Sequence, residues 1–456
     1  MSCFATIAAA LPLRISEKTA CSNGETRTLE RVASAARNGR KAPCREKIPT
    51  LSAVTGGAHS IGLLRTKRFG VFWFASLLSN IGTWMQSVAE PWLILSIGGS
   101  SFLLGLDAFA TNAPFWILVL VGGFLADRSD RTVIIYLFQG IQMLCPVLIV
   151  AFVAAGWIKV WMIIAISLIV GVTDALSTPA FSSLIPSMVG GEELRTALAL
   201  NSMQFNLSRV LGPAIAGLIM VKYGFIWCFG ANAASYIPFF LSIHWLRPPR
   251  RDSVRQSGGL SFSSALDDLR AIVKGRSAGW VLLSVFCTAF FCGPLITFSP
   301  VIVKAVLHAN VAQFGGVLTA FGTGGLLGPF LILLTMQRLD PMKMSLTAAS
   351  VYGLLLVGAS LVGSIWQLAG LLVAAGMLLT VANTSANTFL QSQATDQNRG
   401  QTASLFMLAM RGGLSLGNLA TGTVIAASSI SFALLVNGIL AVGLQVLIFR
   451  RMLTRH

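Results

Sequence analysis

Apolar stretches about as long as a membrane is thick recur along most of this chain. A helix crosses the hydrocarbon core with roughly 20 predominantly apolar residues. Such stretches fall near 70–97, 102–126, 132–155, 157–180, 198–221 and 224–246, and then near 279–303, 311–335, 344–363, 366–392, 402–427 and 430–449. Since a backbone surrounded by lipid must satisfy its polar groups internally, the pattern predicts an all-α integral membrane protein with twelve transmembrane helices.

The composition excludes a soluble globular fold. Hydrophobic residues make up 55% of the chain and charged residues 11%, whereas soluble domains average about 45–50% apolar and about 25% charged. The lipid bilayer is therefore the expected environment of most of the chain. The net charge of +17 fits loops that lie against anionic lipid headgroups. Nucleic-acid binding is the weaker interpretation, and no nucleic-acid partner is expected.

Lys and Arg are distributed unevenly between the two sides of the predicted helices. With the N-terminus inside, 28 of the 33 basic residues fall in cytoplasmic segments. The other side has Lys159, Lys222 and Lys304, and Arg209 and Arg411 lie within helices. Because cytoplasmic loops accumulate basic residues, both termini are predicted to be cytoplasmic. The expected location is a plasma membrane, with the bacterial inner membrane as the preferred one.

The twelve predicted helices form two groups of six. The expected organisation is a disordered basic segment at 1–65, a six-helix bundle at 66–246, a cytoplasmic linker at 247–278 and a second six-helix bundle at 279–450. A weak repeat supports this division, because 212–217 (GPAIAG) in helix 5 matches 417–422 (GNLATG) in helix 11. Six helices return the chain to its starting side, so the halves are parallel repeats with the substrate path expected between them.

Residues 1–65 are polar and basic and have no periodic apolar pattern, which predicts disorder. An organelle transit peptide is an alternative for this Arg-rich, Ser-containing segment. Acidic residues argue against it, namely Glu17, Glu25, Glu30 and Glu46. A start assigned too far upstream is the other alternative.

A charged loop separates helices 2 and 3. Its sequence at 122–131 (GGFLADRSDR) resembles the loop motif of the major facilitator superfamily. The segments 83–86 (TWMQ), 91–93 (PWL) and 211–213 (LGP) are similar to the secretion effectors, the subgroup that includes enterobactin-exporter-like proteins. The resemblance covers 68–450 and implies the major facilitator fold.

This loop is predicted to act as a gate, because its acids and bases can pair with neighbouring helix ends. In a state closed to the cytoplasm, Arg411 of helix 11 is expected to meet Asp127. Gln337 stands where the second half would need a matching Asp, so the second loop is expected to latch weakly or not at all. The gating set comprises Gly123, Asp127, Arg128, Asp130, Arg131 and Arg411.

Helix 5 carries a Gly-Pro motif that resembles the motif of proton-coupled antiporters. The residues concerned are Arg209, Gly212, Pro213 and Gly217. The resemblance favours export. Arg209 is expected to bond either a carboxylate partner or an anionic substrate.

Polar residues at helical spacing are candidates for lining a central cavity, because intramembrane polar groups tend to face interiors or water. These residues are Asn80, Thr83 and Ser87 on helix 1, and Asn383, Asn387 and Gln391 on helix 10. The alternative is that they only form hydrogen bonds between helices, which contribute about 0.6 kcal/mol each in membranes.

Acids inside helices are candidates for proton coupling, since a carboxyl that alternates between wet and dry surroundings can take up and release a proton. Glu90 on helix 1 is the first candidate and Asp174 on helix 4 the second. A hydrated surface carboxylate is the alternative for Glu90, and a structural ion pair is the alternative for Asp174. Asp107 follows Ser100 and Ser101 at the start of helix 2, where an acid is expected to stabilise the helix end.

Motifs for enzyme chemistry are missing from the sequence. There is no nucleotide-binding Gly-Lys-Ser/Thr loop, no Gly-x-Ser-x-Gly nucleophile motif and no metal-ligand spacing of His with acids or Cys. No enzyme activity, cofactor or metal site is expected. The prediction is a monomeric secondary transporter that uses protons to export a small amphipathic drug or siderophore-like metabolite by alternating access. Metabolite uptake and a non-transporting membrane sensor or assembly partner are the alternatives.

Overall fold

The structure is a computed structural model, and it describes residues 62–182, 184–190, 193–246, 276–335, 340–394 and 399–453. The predicted N-terminal segment, 1–65, and the predicted linker, 247–278, lie almost entirely outside these ranges. Their assignments therefore stay predictions.

Helices account for nearly all of the described residues, which include no strand. Twelve of the helical segments are named here in chain order. They are α1 (Lys67–Ser96), α2 (Ser101–Asn112 continued by Pro114–Arg128), α3 (Arg131–Ala154), α4 (Val160–Ser182), α5 (Leu194–Tyr223), α6 (Ile226–Leu246), α7 (Arg276–Cys287 continued through Ile302–Val306), α8 (Val311–Thr335), α9 (Pro341–Ala359), α10 (Ile365–Gln393), α11 (Arg399–Ala427) and α12 (Ile430–Leu453). The prediction of an all-α fold with twelve long helices is confirmed.

Ten of the described helices are long and apolar enough to cross a membrane. The other two long helices, α1 and α11, contain 30 and 29 residues. Their composition is more polar, because α1 carries Asn80, Gln86 and Glu90 while α11 carries Arg411 and Asn418. Polar residues within a membrane helix normally face the bundle interior or a water-filled cavity, so α1 and α11 are expected to face inward.

Prolines and irregular turns interrupt two of the helices. The helix α2 is interrupted at Ala113, directly before Pro114. Proline has no backbone N–H to donate to the preceding turn. In α7, π-helical turns occupy Thr288–Cys292 and Ile302–Val306, next to Pro294 and Pro300. Such turns frequently lie at functional sites in helical proteins.

The packing of α1–α6 is repeated by α7–α12. In the first set, α1 packs on α5 and α6, while α4 packs on α2 and α3, and α3 packs on α6. In the second set, α7 packs on α11 and α12, while α10 packs on α8 and α9, and α9 packs on α12. The two sets, called the halves below, meet where α5 packs on α8 and α2 packs on α11. The predicted bounds of the two bundles, 66–246 and 279–450, stay a prediction.

Equivalent residues of the repeat take equivalent positions. Asp130 accepts a hydrogen bond from the Thr132 backbone N–H at 2.9 Å and caps α3. Asp340 accepts one from the Met342 backbone N–H at 2.8 Å and caps α9. A side chain that satisfies a free N–H at a helix start stabilises that helix. Asp130 and Asp340 therefore form the same cap at the start of the third helix of each half.

Candidate central cavity

A cavity of about 850 Å³ lies between the two halves. Described residues of every named helix except α9 and α12 line it. At one end of the bundle it extends to Ser182 and Asn201, near the end of α4 and the start of α5. Pockets for small molecules typically enclose about 300–1,000 Å³, so the cavity is large enough for a drug-sized molecule.

The predicted polar stripe of α1 faces this cavity. Asn80, Thr83, Ser87 and Glu90 all line it. On α10, Asn383 lines the cavity, whereas Asn387 and Gln391 lie one and two helical turns further along and are not among the lining residues of the described chain. The spacing of four residues on α10 therefore continues beyond the cavity.

Glu90 belongs to a group of polar side chains contributed by three helices. Gln86 Nε2 donates a hydrogen bond to Glu90 Oε2 at 2.9 Å, and Ser167 Oγ of α4 donates to Glu90 Oε1 at 2.7 Å. The Asp107 carboxyl of α2 lies beside both Glu90 and Ser167. The Glu90 cluster, as this group of Gln86, Glu90, Asp107 and Ser167 is called below, places two carboxyl groups close to each other within the helical bundle.

Asp107 does not stabilise the start of α2 as the sequence suggested. Ser100 caps this helix by accepting a hydrogen bond from the Leu103 backbone N–H at 3.3 Å. Asp107 lies in the second turn, beyond the reach of the helix-end effect, and is 6% exposed. Its Oδ1 atom is buried without a hydrogen-bond partner among the described residues. A buried oxygen without a hydrogen-bond partner is costly.

Arg411 joins the halves through α2 and α4. Its Nη1 atom donates a hydrogen bond to Asn112 Oδ1 at 2.9 Å, and its Nη2 atom lies 3.4 Å from Asp174 Oδ2. Its guanidinium also lies 5.2 Å from the centre of the Phe115 ring. A structural ion pair is the alternative role named above for Asp174, and Arg411 is its partner in the structure.

Most of the gating loop is not described at the level of side chains. The side chains of Asp127 and Arg128, and the surroundings of Gly123, lie outside the described residues, so a meeting of Arg411 with Asp127 stays a prediction. Asp130 and Arg131 are described at the start of α3. The backbone of α2 continues to Arg128, and Ser129 and Asp130 form the turn into α3.

Arg209 on α5 lies in the cavity between two aromatic rings. Its guanidinium carbon is 4.3 Å from the centre of the Phe321 ring on α8 and 5.7 Å from that of Trp84 on α1. Gly212 and Pro213 follow one turn later, and an added Cβ at Gly212 would lie 2.4 Å from Trp84 Cβ. The glycine therefore allows α5 to approach α1 closely beside Arg209.

The halves are in tight contact at the end of the bundle that carries the loops 97–100 and 307–310, called the closed end below. Trp92 of α1 stacks on Phe314 of α8 with ring centres 5.5 Å apart. Lys304 Nζ of α7 donates a hydrogen bond to the Leu95 carbonyl oxygen at 2.9 Å. Gly217 approaches Gly315 where α5 meets α8, and Gly105 approaches Gly422 where α2 meets α11.

Gly315→Ala is expected to loosen the closed end. The added Cβ would lie 2.7 Å from Gly217 Cα, so α5 and α8 must separate. A change of about 1.4 kcal/mol shifts a two-state equilibrium roughly tenfold. Spin labels at Phe102 and Val306 should therefore report longer distances in pulsed electron resonance. The control is Gly316→Ala, since its added Cβ meets nothing within 4 Å. Identical distance distributions in both variants would contradict the proposed contact.

Two repeated halves of six helices around a shared cavity define a membrane transporter fold. The family described as transmembrane secretion effector matches residues 58–455. The chain belongs to this family of the major facilitator superfamily, whose members are transporters rather than enzymes. The resemblance noted in the loop and helix motifs is thereby confirmed.

Curated relatives share about a quarter of their residues with this chain. The enterobactin exporter EntS of Salmonella typhi is 25% identical over 401 residues, which cover 84% of this chain and 93% of the exporter. The staphyloferrin A transporter of Staphylococcus aureus (strain NCTC 8325 / PS 47) is 24% identical over 357 residues, which cover 76% of this chain and 87% of that protein. Both relatives are membrane transporters.

Solved structures agree on the fold. A bacterial homologue of the human lysosomal transporter Spinster superposes with a TM-score of 0.67 at 16% identity, covering 86% of this chain and 98% of that one. The nucleoside transporter NupG superposes with a TM-score of 0.66 at 12% identity, covering 84% and 99%. At such low identity the likeness is one of fold alone.

Proposed function

We propose that this transporter exports a small amphipathic molecule by proton-coupled alternating access. The observation that carries the proposal is the Glu90 cluster, in which two carboxyl groups lie next to each other at the wall of a cavity shared by both halves. Two carboxyl groups in contact cannot easily both be charged, so they are suited to holding and releasing one proton. Coupling then requires that the proton and the substrate favour different states of the bundle.

The transported molecule is proposed to be a drug or a siderophore-like metabolite. The support comes from the relatives, since one is named an enterobactin exporter and the other a staphyloferrin A transporter. The aromatic rings of Trp84, Phe314 and Phe321 are among the apolar groups that line the cavity. A monomer in the bacterial inner membrane, with both termini in the cytoplasm, completes the proposal. The uneven distribution of Lys and Arg supports the cytoplasmic position of both termini.

Transport by purified protein in proteoliposomes tests this function. A pH gradient is imposed across the vesicle membrane, and a panel of dyes and siderophore-like chelators is screened for accumulation. We expect at least one panel member to accumulate against its gradient and to redistribute when a protonophore removes the pH gradient. Accumulation that ignores the protonophore would overturn the proton as coupling ion. If protons and substrate move in the same direction, the protein is an uptake transporter, which is the alternative to export.

A further inference from the structure

Arg209 and Arg411 are the described arginines that line the cavity, and they differ in their partners. Arg411 is bound to Asn112 and paired with Asp174. Arg209 has neither a hydrogen bond nor an ion pair with any described residue. Its Nε atom is fully buried and has no acceptor. The two Nη atoms are not buried and keep access to the cavity. The donors on Arg209 are therefore open to a ligand.

The acids in the cavity wall do not supply the missing counter-ion. Glu90 and Asp107 are in contact with each other, and Asp174 is paired with Arg411. A guanidinium inside a membrane protein is strongly disfavoured unless a charge or a polar environment compensates it. The rings of Phe321 and Trp84 give partial compensation through cation–π contact. These contacts involve the flat face of the guanidinium and leave its N–H groups without an acceptor among the described residues.

Two glycines of α8 pack closely against Arg209. An added Cβ at Gly325 on α8 would lie 3.3 Å from Arg209 Nη1. An added Cβ at Gly322 would lie 2.6 Å from the Arg209 carbonyl oxygen. Glycine at these two positions lets α8 approach α5 without covering the guanidinium. Trp84 belongs to one half and Phe321 to the other, so a molecule bound at Arg209 contacts both halves.

We propose that Arg209 is an anion subsite of the substrate cavity, and that the transported molecule is an amphipathic organic acid with a carboxylate or similar oxyanion beside a planar apolar group. The proposal rests on the proposed transport function and narrows its substrate class. A guanidinium recognises such an oxyanion through two parallel N–H···O bonds. Trp84, which is partly exposed to the cavity, supplies a flat apolar surface next to it.

Binding of a matched pair of probes to the purified full-length protein tests the subsite. The probes are 2-naphthoate and its neutral, nearly isosteric amide, 2-naphthamide, followed by quenching of tryptophan fluorescence without any gradient. For the wild type we expect about tenfold tighter binding of the acid than of the amide. Arg209→Gln should abolish this preference, and Arg209→Lys should keep part of it, because the charge remains while the planar fork is lost.

Lys222→Gln is the matched control, because it also removes a positive charge from α5. Lys222 lies outside the cavity, with its Nζ atom 5.2 Å from the centre of the Tyr223 ring. This variant should retain the full preference for the acid. Equal binding of acid and amide by the wild type, or no binding of the acid, would overturn the subsite even if every variant misfolded. A loss of preference in Lys222→Gln would also overturn it. Because the binding assay involves no transport, a negative result would overturn the anion subsite but not the proposed transport function. The proteoliposome experiment tests that function separately.

Discussion

Glu90→Gln is expected to abolish accumulation driven by a pH gradient while leaving substrate binding and downhill exchange intact. Glutamine has the same shape as glutamate, and its amide can still bond Gln86 and Ser167, which contact Glu90 at 2.9 and 2.7 Å. What it cannot do is bind and release a proton. The amide can also donate to Asp107, which would hold that acid in one charge state. Transport against a gradient should therefore be lost without loss of the fold.

The measurement compares uphill accumulation with counterflow in the same proteoliposomes. Asp107→Asn should show the same separation of the two activities, because both carboxyl groups are needed for a shared proton. Ser87→Ala is the control on the same helix, since the Ser87 hydroxyl bonds the Trp84 carbonyl oxygen at 2.8 Å and has no part in the Glu90 cluster. If Glu90→Gln still concentrates substrate, Glu90 is structural and Asp174 becomes the next candidate.

Asp174→Asn is expected to lower the transport rate by up to about fivefold with little effect on folding. The pair that it breaks, between Arg411 Nη2 and Asp174 Oδ2, spans 3.4 Å, and the two side chains are 32% and 39% exposed. Exposed pairs contribute about 0–1 kcal/mol to stability, so the melting temperature should hardly change. Loss of the same small energy from a contact between the halves changes the equilibrium between conformational states of the transporter severalfold. Vesicle transport and thermal unfolding measure the two effects.

A double-mutant cycle separates the ion pair from other roles of these residues. If the pair acts as a unit, Asp174→Asn combined with Arg411→Gln should transport no worse than the poorer single variant. Glu193→Gln serves as the control, because this acid is exposed at the start of α5, away from the cavity. Fully additive losses in the double variant would show that Asp174 and Arg411 act separately.

The sequence predicts the helices well, because each long apolar stretch must span the membrane on its own. The bounds of the twelve helices agree with the predicted stretches within four residues. It also predicts that Asn80, Thr83, Ser87 and Glu90 share a face, since side chains three and four positions apart align along one helix. Such patterns depend only on local geometry.

Contacts between helices were harder to predict. Asp107 lies 17 positions after Glu90 in the chain, and only the packing of α1, α2 and α4 brings the two carboxyl groups together. The available signal was the spacing from Ser100, which places Asp107 past the first turn. The pairing of Arg411 with Asp174 is equally hard to derive from the sequence. The helix carrying Asp174 is distant in sequence, and no periodic pattern links it to α11.

The glycine contacts at the closed end have a mechanical consequence. Gly217 meets Gly315 on one side of the bundle, and Gly105 meets Gly422 on the other. Two points fix a line, and a turn of one half about that line leaves both contacts in place. Because all four residues are glycines, no side chain at either contact obstructs such a rotation. In the proposed alternating access, these four glycines would mark the axis about which one half rotates against the other.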